Sequence, residues 1–208
     1  NIENSAVLQE YYLRGIDDLQ IYSDDLLLQT IYDVNPIRNR IDCEPDELLT
    51  VALKDIRQFV RRYYVPKNMF VIMFGPKREL VKTLAQKYFG GLAQPSKPIL
   101  DYNRNEDMPK LSASKSIDVP RPGIHQSHVQ IGFPTDLHGT EDDEALDMLS
   151  DLLEMHLFWR LREENHKFGS GVYRVECQAE RSHVHGLFSI WFATSSVEFV
   201  SEAEARIN

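Results

Sequence analysis

Apolar positions recur at helical spacing through most of the chain and switch to short continuous runs in a few places. Ile2 to about Leu19 is rich in helix formers, and Leu26 to Tyr32 gives a second, shorter helical pattern ended by Asn35-Pro36. Residues 36–45 are polar and turn-rich. Glu44-Pro45-Asp46-Glu47 reads as a helix start, with Pro near the first helical position and acids in the first turn. Leu53, Ile56, Phe59, Val60 and Tyr63 then recur at three and four residues and stop before Pro66. Met69–Phe74 is a continuous apolar run closed by Gly75-Pro76, and its length and aromatic or β-branched content predict a buried strand. Glu79 to Phe89 predicts a helix, ended by Gly90-Gly91.

Residues 94–122 hold five prolines and little periodicity, which reads as a linker. The pattern then restarts. His128 to Phe133 predicts a strand, and Glu141 to about Glu164 a long helix with Leu146, Leu149, Leu153, Leu157 and Leu161 on one stripe. Val172 to Ala179 and Gly186 to Thr194 predict two strands joined by a polar turn, and Glu198 onward a further helix. Helices and antiparallel-type strands on both sides of the linker give an α+β class in two units. The expected boundaries are 1–93, a linker over 94–122, and 123–208.

Composition narrows the partners. With 42% hydrophobic and 26% charged residues, the 208-residue chain is an ordinary globular sequence, and its formal charge of -9 disfavours a nucleic-acid partner. The one dense basic run, Arg57, Arg61, Arg62 and Lys67, reads as a solvated helix face. Cys43 and Cys177 lie far apart with no CxxC spacing, so neither a pairing nor a metal knot follows from them. No apolar run reaches membrane-spanning length. Both ends read as cut: Asn1 has no Met or signal-type segment, and the final residues stop inside a helix-like pattern.

Three groups could carry chemistry. Glu3 and Glu10, seven apart, fall on one face of a helix two turns apart, as a metal ligand and its neighbour would; two surface acids are the plainer reading. The histidines make no HExxH or HxxEH. His125 with His128, and His183 with His185, read as polar surface or hydrogen-bonded residues before they read as ligands. Gly169-Ser170-Gly171 reads as turn chemistry. Finally, Arg162 at the end of the long helix and Tyr173 at the start of the next strand can converge on a carbonyl or carboxylate. A helix-end arginine and a half-buried strand tyrosine is the structural alternative.

Tyr63-Tyr64-Val65-Pro66-Lys67-Asn68-Met69, the apolar run to Gly75, and Lys87-Tyr88-Phe89-Gly90-Gly91-Leu92 together resemble the pitrilysin/insulinase family of inverted-zincin metallopeptidases, whose relatives include the mitochondrial processing peptidases. Leu157-Phe158, Leu161-Arg162-Glu163, Val172-Tyr173 and the Gly186-led strand extend the resemblance over nearly the whole chain. The resemblance implies paired homologous α+β domains around a peptide chamber. It also implies zinc held by HxxEH and by a glutamate on a later helix, with a second glutamate seven residues before it. Glu10 matches the third ligand and Glu3 its supporting carboxylate. Arg162 and Tyr173 match the second-domain pair that contacts substrate, across a longer loop than usual.

The sequence departs from the family where it matters most. It carries no HxxEH, and Pro76 stands where an Asp usually follows the strand-ending Gly. One carboxylate cannot hold zinc, because a catalytic site needs three protein ligands and an open position. The expectation is therefore part of a zinc metalloendopeptidase acting on peptides or unfolded polypeptides, inactive by itself, with Zn2+ bound only when the HxxEH segment is present. The alternative is a non-catalytic substrate-binding or structural subunit of the same family. A homologous partner subunit or a homodimer is the expected assembly. The compartment stays open, with cytoplasm favoured over secretion.

Overall fold

A computed structural model describes residues 2–15, 18–33, 36–41, 44–93, 111–163, 171–182, 185–195 and 200. Part of the expected linker (94–110), the helix expected from Glu198, His183, Cys43, Gly169 and Ser170 lie outside the described residues. The chain divides into unit 1, Asn1–Pro45 with Asn103–Asn208, and unit 2, Asp46–Tyr102.

Unit 1 contains helices α1 (Ile2–Gly15) and α2 (Leu19–Ile31), strand β1 (Ser127–Pro134), helix α6 (Asp143–Phe158) and strands β2 (Val172–Arg181) and β3 (Gly186–Thr194). Unit 2 contributes α3 (Pro45–Thr50, which begins at the boundary), α4 (Leu53–Tyr63) and α5 (Arg78–Phe89). The three strands form an antiparallel sheet in the order β1-β3-β2. All nine residues of β3 are buried, because it has a strand on each side and apolar cover on each face.

One face of that sheet meets α6. Val129, Val175, Cys177, Phe188, Ile190 and Phe192 form a core with Leu157 and Leu161 of the helix segment. Glu154 Oε2 accepts a hydrogen bond from the backbone N of Cys177 on the edge strand at 3.1 Å. Burial and the neighbouring Glu154 push the free Cys177 thiol up to about 12, so it packs as a small apolar group. The start of α6 is fixed electrostatically. Asp143 accepts from the Gly139 N–H at 2.8 Å, with His138 2.8 Å and Arg181 3.2 Å from its oxygens, and these hold its carboxyl below the usual range. The helix ends in a π-helical turn, Trp159–Glu163, which carries it to the end expected from the leucine stripe.

The opposite face meets α2. Leu27 and Ile31 lie so close to Gly132 that a Cβ there would sit 2.8 Å from the Leu27 methyls. Leu187 packs with Ile31 and Tyr32, and the Tyr32 hydroxyl donates to the Gly186 carbonyl at 3.0 Å. The helix begins earlier than its apolar spacing indicates. Asp18 caps it by accepting from the Gln20 and Ile21 N–H groups, and Gln20 reaches Glu176 on β2 at 2.7 Å.

Unit 2 differs from expectation in two respects. The helix opening at Pro45 breaks at Val51-Ala52 and restarts as α4, where the Ala52 N–H donates to Asp55 at 3.0 Å. The strand expected over Met69–Phe74 does not form. Its residues are exposed, with Phe70 at 86% and Phe74 at 94%, because no described segment of unit 2 offers it a ladder. The arginines of α4 are exposed, as a solvated basic face requires.

Asp24 lies on α2 above Glu176 and Glu180. Burial first, then Glu180, Asp25, Glu176 and Asp18, raise its pKa from 3.8 to about 6. The folded chain therefore binds this proton more tightly than the unfolded chain does. Stability contributed by the protonated acid is present below the unfolded value and is lost as pH rises through about 6. Asp24→Asn is expected to stabilise the protein at pH 7.5 by about 1 kcal/mol after screening by solvent. Thermal melts at pH 7.5 and pH 3.5 check this, and a gain of equal size at both would refute the titration argument.

Candidate functional site

Of the expected metal pair, Glu3 and Glu10 both lie on α1, where the seven-residue spacing keeps their positions on one helical face. The side chain of Glu10 is exposed. Its neighbour Tyr11 turns inward. The Tyr11 hydroxyl donates to Glu44 Oε2 at 2.7 Å, the Arg40 guanidinium stacks 4.7 Å from its ring centroid, and burial with the Glu44 contact raises the phenol pKa. α1 therefore presents Glu10 outward while Tyr11 anchors the helix.

A recess of unit 1 lies beside that anchor. It has a volume of about 330 Å³ and is lined by Tyr11, Tyr22, Asp25, Arg40, Glu44 and Arg121, among others. Arg121 stacks over Tyr22 at 4.0 Å, and Arg40, only 8% exposed, pairs with Asp25 at 3.3 Å. Two guanidiniums face two carboxylates there, so the recess carries no net charge of either sign to attract an ion. It fastens α1, α2 and the turn at residue 40 together. Glu10, Arg162 and Tyr173 do not line it. Nothing in the sequence marks Arg40 and Arg121, because their surroundings are polar and turn-rich and no spacing signals a stack on tyrosine.

Arg162 and Tyr173 are brought together. Arg162 sits in the π-helical turn after α6, its guanidinium 5.1 Å from the Phe158 ring centroid, and its Nη1 donates to the backbone carbonyl of Tyr173 at 3.3 Å. Tyr173 is the extra residue of a bulge in β2: Val172 pairs with Thr194 and Arg174 with Ala193, which leaves Tyr173 without an opposite number. Its side chain is 57% exposed. The arginine thus contacts the main chain of Tyr173, while the phenol projects from a bulge, a common way of aiming a side chain out of a sheet.

Among the described residues no group of three or more His, Cys, Asp or Glu could hold a metal ion. A zinc site needs three protein ligands, so these residues do not fit zinc by themselves, and Glu10 can be one ligand at most. His128, which the sequence pairs with His125, stacks on Trp191 at 5.5 Å, and burial lowers its pKa, as for a neutral packed histidine. No described helix is long and apolar enough to cross a membrane.

Unit 1 is thus an antiparallel sheet with a helix on each face, and Arg162 after α6 meets the main chain of the bulge in β2. The family model described as "peptidase M16 inactive domain" matches residues 50–208, more than half of the chain, and the chain belongs to that family of peptidases, the pitrilysin group. A zinc protease, PqqE, of Helicobacter pylori is 30% identical over 109 residues, covering 52% of this chain and 24% of that protein. The crystal structure of a protease from Helicobacter pylori superposes with a TM-score of 0.83 at 23% identity, over 98% of this chain and 50% of that one. A peptidase M16 inactive domain from Pseudomonas fluorescens gives 0.69 at 15% identity, again over 98% and 50%. The periplasmic protease PqqL of Escherichia coli gives 0.54 at 15% identity, over 93% of this chain and 21% of that one. The chain spans about a quarter of the curated relative's length and half or less of these solved chains.

Arg162→Lys is expected to destabilise the chain by about 1 kcal/mol, because an ammonium cannot both lie flat on Phe158 and donate to the Tyr173 carbonyl. Urea denaturation measures it, and an unchanged midpoint would remove Arg162 from the support of the bulge.

Proposed function

We propose that this chain is part of a zinc metalloendopeptidase acting on peptides or unfolded polypeptides, and that it supplies substrate contacts and one carboxylate to a site whose other zinc ligands lie outside residues 1–208. The reading is supported by the M16 match together with the placement of Arg162 against Tyr173. A guanidinium and a phenol at a helix-to-strand loop are donors that suit the carbonyls of an extended peptide and the negative charge that grows on one during hydrolysis. Glu10 is exposed on α1, as a carboxylate shared with ligands from elsewhere has to be, and Glu3 on the same helix is its supporting acid. The expected domain division, with 1–93 ending one peptidase domain and 123–208 beginning the next across the 94–122 linker, belongs to this proposal. So does assembly with a homologous domain or subunit.

A second reading has its own support. The matched family model is that of an inactive domain. A non-catalytic, substrate-binding subunit would use Arg162 and Tyr173 in the same way and would need neither Glu3 nor Glu10.

In the full-length polypeptide, Glu10→Gln is expected to lower bound zinc and peptide turnover together. Zinc stoichiometry by atomic emission decides the matter: if it is unchanged, Glu10 is no ligand and the subunit reading takes over. Arg162→Ala is expected to leave zinc in place and cut kcat/KM about ten- to hundredfold, the worth of one charge-assisted hydrogen bond. Turnover at the wild-type level would make the pair structural. Residues 1–208 alone are expected to cleave no peptide at any zinc concentration.

A further inference from the structure

Strand β2 lies at the edge of its sheet, with β3 on one side and no described strand on the other. An edge of this kind offers a row of main-chain donors and acceptors to any extended chain, and a second copy of the same protein is always at hand. In β2 that row falls on alternate residues. The Cys177 N–H turns away from β3, so Val175 and Ala179, which flank it at the strand period, turn their backbone groups the same way. Among the described residues no backbone group bonds to this outer edge.

Two side chains reach it instead. Glu154 of α6 accepts from the Cys177 N–H at 3.1 Å, and Arg162, in the turn that follows α6, donates to the Tyr173 carbonyl at 3.3 Å. The carboxylate takes the N–H as the carbonyl of an added strand would. Glu154 belongs to an exposed position, so burial does not force it onto the strand, and it gives up rotamer freedom to stay there. It holds the middle of the outer row, a donor that any strand paired along Val175–Ala179 would need. The bulge at Tyr173 bends one end of the same edge. A charge aimed at an edge and a bulge within it are both means by which sheets avoid pairing edge to edge.

We infer that Glu154 guards the outer edge of β2: by holding the Cys177 N–H it keeps a second copy of the protein from adding its own β2 there. The chain to be excluded is a second copy because β2 complements itself. Two such edges, antiparallel about Cys177, would present the same donors and acceptors to each other. In that register Arg174 falls opposite Glu180, and Val175 opposite Ala179. Arg174 and Glu180 are both exposed, so the charge pairs would form without rearranging a core, and opposite charges placed across a ladder favour it. The guard needs neither zinc nor substrate.

Sedimentation equilibrium and single-amide hydrogen exchange on the full-length polypeptide test it. Glu154→Ala is expected to associate one step beyond the wild type, with an association constant at least about tenfold higher. Glu154→Gln, whose amide oxygen still accepts from the Cys177 N–H, is expected to stay at the wild-type level. In the wild type the Cys177 amide is expected to exchange at least about tenfold more slowly than those of Val175 and Ala179. In Glu154→Ala all three are expected to gain protection as protein concentration rises. A Cys177 amide that loosens in this variant with no dependence on concentration would make Glu154 a fastener of α6 alone and overturn the inference. Val175 and Ala179 already protected in the wild type would mean that another strand covers the edge, and would overturn it too. So would association of Glu154→Gln as strong as that of Glu154→Ala. Adding Glu180→Arg to Glu154→Ala separates pairing from misfolding: it sets arginine opposite Arg174 and is expected to reverse the association, and aggregation that it leaves unchanged would refute pairing through β2.

Discussion

Gly186–Thr194 is buried at every residue, and the described fold of unit 1 is arranged around it. A strand of this kind can leave water only if both its edges find hydrogen-bond ladders and both its faces find apolar cover. β1 and β2 supply the ladders; α6 and α2 supply the cover. The demands on each supplier follow from that. α6 must be held at a fixed angle, and Asp143 with His138 and Arg181 fixes its start. α2 must come very close, which is why residue 132 has no side chain. Tyr32 closes the end of the strand by donating to the Gly186 carbonyl, which also accepts from the Thr135 N–H at 3.0 Å.

The two faces are not equivalent. Beneath α6 the sheet is a continuous apolar layer. Beneath α2 it carries His128, Gln130, Trp191 and Glu176, several of whose polar atoms are buried without a hydrogen-bond partner in the described structure. Asp24 and Gln20 of α2 face the acids of β2 from above. In a layer this polar each buried polar atom must find a partner or stay solvated, and α2 closes tightly where Leu27 and Ile31 meet Gly132. The α6 side is therefore the more apolar base of unit 1, and pH acts on both sides, through Asp24 on α2 and through Asp143 at the start of α6.

How much of this was legible in the sequence depends on whether an element's partner lies near it in the fold. Gly186–Thr194 reads correctly as a strand because its apolar run and its neighbours are all within the chain. Met69–Phe74 has an equally strand-like run and forms none, since composition specifies a tendency to be buried while a ladder needs a second strand. The first half of α2 is hidden in the sequence because Gln20, Ser23, Asp24 and Asp25 break the apolar spacing; the cap at Asp18 and the contact to Glu176 start it there regardless. The bulge at Tyr173 leaves no trace in the pattern. It is visible only through register, where Val172 and Arg174 pair with consecutive residues of β3.

The same principle bears on the candidate site. Arg162 and Tyr173 are eleven residues apart and belong to one helix–loop–strand unit, so spacing alone could suggest that they meet, and they do so through the Tyr173 carbonyl. That contact places the guanidinium against the main chain of the bulge and leaves the phenol to project separately, a division that lets one residue hold the shape while the other reaches outward. Glu10 is a different kind of element. A metal ligand is defined by the other ligands, and no arrangement of α1 can supply them, so its position on an exposed helix face is compatible with both a shared zinc site and a plain surface acid. The substrate-contacting half of such a site can be built within one short segment. The metal half is inherently collective, because it needs three protein ligands at once, and the described residues bring no such group together.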